Sequence, residues 1–86
     1  MAGVEEIRAG IQLSNRQAEA SIAAINEAAM RLDEARNALL NATQGSSQAE
    51  VSQSHGMLAE ALQTLQGVQS TIRSSIASVE GYAARL

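Results

Sequence analysis

The chain has 86 residues, so it holds at most one domain, and at this size a single core is only marginally stabilising. Seventeen of its residues are Ala, Tyr82 is its only aromatic, and Phe, Trp, Pro, Cys and Lys are absent. A net charge of −3 argues against a nucleic-acid binder, because phosphate neutralisation needs a basic surface and all six cations are Arg dispersed among acids. The lack of cysteine removes disulfides, thiolate metal sites and thiol redox chemistry, and leaves the compartment open. No apolar run approaches the roughly 20 residues of a membrane span.

The first predicted element is a helix over residues 4–43. Met1-Ala2-Gly3-Val4-Glu5-Glu6 carries neither a basic nor an apolar leader segment, so no conventional signal peptide is expected. From Val4 onward, three-four spacing gives an a column of Val4, Ile11, Ala18, Ile25, Leu32 and Leu39. The matching d column is Ile7, Ser14, Ser21, Ala28, Ala35 and Ala42, one side large and the other small. Such a heptad specifies a helix–helix seam rather than a strand. Ile22 and Ala29, at e positions, widen that seam.

A turn is predicted at Gly45–Ser47. Gly45 suits the left-handed residue that closes a helix, since it has no Cβ to clash. Ser47 then fits an N-cap, with Glu50 three residues on completing a capping box. A second helix over 48–85 carries an unbroken heptad of its own. Its d column is Val51, Leu58, Leu65, Ile72, Val79 and Leu86, and its a column is His55, Leu62, Gln69, Ile76 and Ala83. So short a link makes the two helices antiparallel neighbours.

Folding the chain about Gly45 sets every a residue of the first helix against a d residue of the second, from Val4–Leu86 and Ile11–Val79 to Leu39–Val51. The other seam column pairs Ala28 with Leu62, Ala35 with His55 and Ser21 with Gln69, so small mostly meets large. Ser21–Gln69 reads as a register-fixing polar layer, and Gly10 as room for the Tyr82 ring. The expected fold is all-α: an antiparallel two-helix coiled-coil hairpin, one domain over 1–86, each arm roughly 60 Å long at 1.5 Å per residue.

A lone two-helix seam buries little, so another chain is expected to supply the missing burial. The outer face of the second helix is the candidate surface, through Gly56, Gly67, Ser70, Thr71, Ser74, Ala77, Ser78 and Gly81. Exposed glycines inside a helix cost about 1 kcal/mol each relative to Ala, and close approach of another backbone gives them a reason. The expected outcome is a four-helix bundle or a larger helical assembly.

Chemistry is not expected. His55, the only histidine, has no carboxylate on its own helix face, and reads as a polar group near a wet hairpin tip. The alternative is that its protonation loosens the tip near pH 6. Glu27–Arg31 is a favourable i,i+4 pair, and Asp33, Glu34 and Arg36 extend that solvated face. No phosphate loop or Ser-His-acid set can be assembled. The chain is thus expected to be no enzyme, with no cofactor, no metal and no small-molecule substrate.

Length, a helix-turn-helix hairpin centred on Thr43-Gln44-Gly45-Ser46, and Ala/Gln/Ser richness without a signal peptide resemble the Trp-x-Gly hairpin proteins of type VII secretion in actinobacteria. Here the turn has no Trp, and Tyr82 is followed four positions later by Leu86, where that family's export signal has an acid. The exclusive use of Arg over Lys and the heavy use of Ala point to a GC-rich genome. The resemblance implies two hairpins pairing into a four-helix dimer, itself or with a related hairpin, either cytoplasmic or secreted without a conventional leader. The alternative is a self-assembling subunit of a filament or ring, packed through the small-residue face. The chain resembles flagellin-end and secretion-needle hairpins in length and in polar Gln/Ser/Ala surface.

Overall fold

The computed structural model describes residues 3–86. Met1 and Ala2, which begin the segment inspected for a leader, lie outside the described residues. Two helices, α1 (Val4–Ala42) and α2 (Ala49–Ala84), pack against one another as an antiparallel hairpin measuring 64 × 17 × 15 Å. The absence of proline lets both helices run uninterrupted, and the element ends fall within one residue of those expected.

The turn forms where glycine permits it. Gly45 sits at φ +80°, the left-handed region an L side chain rarely enters. Thr43 ends α1, its backbone N–H and its hydroxyl both donating to the Leu39 carbonyl at 3.0 and 2.6 Å. Ser46 N–H then closes back onto the Thr43 carbonyl at 2.9 Å. The expected Ser47 cap and its Glu50 box do not form. Gln48 is the N-cap residue and makes no side-chain cap bond; Ser46 Oγ instead accepts the Gln48 N–H at 3.3 Å. The tight turn places the hydroxyl one residue earlier, where it satisfies the last loop amide and no helical one.

The seam on α2 follows its heptad: every a and d residue from Val51 to Leu86 is at least half-buried. On α1 the a column turns inward from Ile11 to Leu39, but the d column does not. Ser14, Ser21, Ala28, Ala35 and Ala42 are exposed, and their e neighbours Asn15, Ile22, Ala29, Arg36 and Thr43 are half-buried in their place. The change occurs at Ile7-Ile11-Asn15, where two four-residue steps follow one another. Such a stutter rotates the inward stripe. The rotation is favourable because it exchanges Ser21 for Ile22, and because the Arg36 stem adds apolar length that Ala35 lacks.

Three contacts expected from the unrotated register are accordingly replaced. Ser21 does not meet Gln69; its hydroxyl donates to Ala18 O of its own helix at 2.6 Å. The Gln69 amide reaches across to Asn26 Oδ1 at 2.6 Å and Ile22 O at 3.4 Å, so a polar layer exists with different partners. Ala35, the expected neighbour of His55, is exposed, and Arg36 is half-buried in its place. At the open end Val4 is exposed, and Arg8, one turn later, donates to Leu86 O at 3.3 Å. Gly10 makes no room for Tyr82, since a Cβ there would meet nothing within 4 Å.

Only Ile76 is buried among the described residues, at 8% exposure. The accessible surface is 6258 Å², whereas a compact monomer of this mass has about 4,900 Å². About 1,400 Å² of additional surface is therefore left in water, more than the ~800 Å² that one partner contributes to a standard interface.

Candidate functional site

The hairpin has two broad faces, and the rotation of α1 decides what each displays. In an antiparallel pair the g positions of both helices share one side of the seam and the e positions share the other. On the e side, one trough is lined by Arg8, Asn15, Arg16 and Glu80, and the next by Glu19, Ile22, Arg73 and Glu80. Both signs of charge alternate along this side, which is the composition of a solvated surface.

The opposite face is different. There α1 displays the d column that the rotation turned outward, together with its g column of Gln17, Ala24, Arg31 and Ala38. Across the seam α2 adds its g column of Ser54, Ala61, Val68, Ser75 and Tyr82 and, behind it, Met57, Thr64, Thr71 and Ser78. Along the d and g columns of α1 and the g column of α2 this surface carries one charge, Arg31, with Glu50, Glu60 and Arg85 on its α2 margin. It also displays Met57, Val68 and Tyr82 at 68%, 41% and 46% exposure.

A trough of about 840 Å³ runs along the turn-proximal half of this face. Its floor is Ala28, Leu32, Ala61 and Leu65, with Met57 and Thr64 at the side. Arg31 stands on the α1 rim and Glu60 on the α2 rim. Arg31 Nε bonds the Glu27 carboxylate at 3.2 Å, with both side chains largely in water. Among the described residues Glu60 is in no ion pair. The floor lacks the convergent polar groups that orient a small ligand in a binding pocket, so its chemistry suits a packed side-chain layer.

The surface expected to bind a partner lies mostly on the outer side of α2. Gly56, Gly67, Ser70, Thr71, Ser74, Ala77 and Ser78 are exposed, and Gly81 is half-buried. A Cβ at Gly56 or Gly67 would meet nothing within 4 Å, so nothing inside the hairpin requires glycine there. At Gly81 the Arg85 guanidinium lies 3.9 Å from where a Cβ would be. Thr71 and Ser78 border the uncharged face; the others point away from it or toward the charged side. The exposed d column of α1 and the Met57–Glu60 rim were not anticipated. A map of charge onto the g positions of both helices would have found this face, because Arg31 is the sole charged residue in either column.

His55 is half-buried, and its Nε2 is enclosed without a hydrogen-bond partner, as is the Nε of Arg36. Arg36 Nη1 lies 3.7 Å from Asp33 Oδ1 on the same helix. Among the described residues no group of three or more His, Asp or Glu is placed to hold a metal ion. Among the same residues no helix is long and apolar enough to cross a membrane. In comparisons with known proteins, no family model matches this chain, and neither a curated protein nor a solved structure matches it.

Proposed function

We propose that this protein is a non-catalytic helical-hairpin interaction module that works by dimerising, in the manner of the type VII secretion hairpins it resembles. The carrying observation is the burial deficit: one buried side chain among the described residues of a 64 Å hairpin, and a surface far larger than that of a compact chain of this mass. A protein that leaves this much surface in water gains stability by mass action from any partner that covers it. The absence of Lys, the mixed charges and the uncharged broad face direct that partner toward another helical hairpin rather than a polyanion. Light scattering across a hundredfold concentration range tests this. A concentration-independent dimer supports it, and a stable monomer at every concentration overturns it.

The alternative is assembly into a filament or ring through the small-residue face of α2. It is favoured by Gly56 and Gly67 standing over open space in a helix interior, where glycine costs stability with no return inside the hairpin. Sedimentable fibres in electron micrographs would select this reading. Gly67→Leu would then abolish fibres while leaving helicity intact, and fibres surviving that change would exclude the face.

A further inference from the structure

We infer that the uncharged broad face seats a second copy of this chain, laid face to face with both turns at the same end, so that Arg31 of each hairpin lies across from Glu60 of the other. The inference rests on the proposed pairing of hairpins and adds its face, occupant and direction.

The choice of face follows from charge. Desolvating ionised side chains is costly unless each is paired, and the e side would bury Arg8, Arg16, Glu19, Arg73 and Glu80. The other face brings in Arg31 and Glu60, which this arrangement pairs at its edges, with Ala and Ser on α1 low enough for a helix to approach closely. The area agrees: covering ~800 Å² per hairpin, the share of one partner in a standard interface, lies within the surface this chain exposes beyond a compact monomer.

The choice of occupant and direction follows from the trough. It lies between the turn and the middle of the hairpin, bounded by Ala28 and Leu32 on one helix and Met57 and Leu65 on the other. A two-fold axis along the hairpin lays trough on trough, with the seam residues Leu32 and Leu65 near the axis and Met57 of each hairpin set against the Ala28–Leu32 stretch of the other. Running the second copy the other way would set the trough against the more polar stretch that holds Gln17, Ser21, Val68 and Ser75. The same axis sets each α1 against the partner's α2. Arg31 and Glu60 lie on opposite rims at nearly the same height, so two symmetric ion pairs form at the edges of the interface. Glu60 thereby gains the cation it lacks within its own hairpin among the described residues.

Charge exchange tests the geometry. Arg31→Glu and Glu60→Arg are made separately, checked for unchanged helicity, and measured by sedimentation equilibrium alone and as an equimolar mixture. Each single variant converts two attractive pairs to two repulsive ones and is expected to self-associate about tenfold or more weakly than the unaltered protein. In the mixture, one edge sets the carboxylate introduced by Arg31→Glu against the guanidinium introduced by Glu60→Arg. The other edge sets the unchanged Glu60 of the first variant against the unchanged Arg31 of the second. The mixture should therefore recover the unaltered affinity as a heterodimer. Two single variants that dimerise as well as the unaltered protein would overturn this arrangement while leaving dimerisation itself intact. Weakened variants that fail to recover on mixing would overturn the direction. An unaltered protein that stays monomeric would overturn the pairing and this inference together.

Discussion

Ile76→Ala is the most informative single change to the hairpin. Ile76 is the one buried side chain among the described residues, at 8% exposure, and it sits on the a column of α2, one heptad after Gln69. Removing three carbon atoms at ~0.8 kcal/mol per buried methylene gives a transfer loss of about 2.4 kcal/mol. A closed cavity would add to this, but Ile76 borders an open trough with Ile22, Arg73 and Ala77, so no sealed void is left. The total cost therefore lies at the lower end of the ~2–5 kcal/mol spanned by large-to-Ala core changes. For a domain of this size that corresponds to a fall of about 8–20 °C in Tm. Thermal unfolding followed by circular dichroism, at one fixed protein concentration, measures it. A shift below about 3 °C would show that the Ile76 layer carries little of the packing free energy and would refute the reasoning from burial.

Three further changes probe the turn, the tip and the outer surface. Gly45→Ala forces a Cβ into φ +80° and should cost about 1–2 kcal/mol in urea unfolding, with helicity otherwise retained; no loss would mean that the turn relaxes to another form. His55→Leu removes an enclosed Nε2 that has no partner, and should be neutral or stabilise the hairpin by about 1 kcal/mol, since an unsatisfied polar group is exchanged for an apolar one. A loss of stability on that change would show that the imidazole makes a bond to ordered water. Gly67→Ala adds a methyl group where nothing lies within 4 Å and should raise stability by about 1 kcal/mol through helix propensity, visible as a higher Tm.

Much of the hairpin was legible because its determinants are local and periodic. Proline's absence, the glycine at the turn and the strict three-four spacing from Val51 to Leu86 mark two long helices, one break and the inward stripe of α2. The ion pair Glu27–Arg31 was legible for the same reason, being one turn apart on one helix. The capping box was not, because Ser46 and Ser47 offer identical hydroxyls in succession and the path of the turn selects between them.

The face of α1 was likewise beyond local reasoning. Ser14 and Asn15, then Ser21 and Ile22, then Ala35 and Arg36 are adjacent choices whose intrinsic preferences differ by a few tenths of a kcal/mol. Only contact with α2 decides among them, through the apolar area of Ile22 and the reach of Gln69 to Asn26. That same decision turns a column of Ser and Ala outward beside Ala61 and Val68, and so creates the uncharged face. Sequence by itself determined that this chain is two antiparallel helices with too little core, since period and composition are properties of the chain. Which residues of α1 turn outward, and so what the broad face displays, was decided by the tertiary structure, because the rotation of a helix is fixed by the sum of its packing contacts and by no single residue.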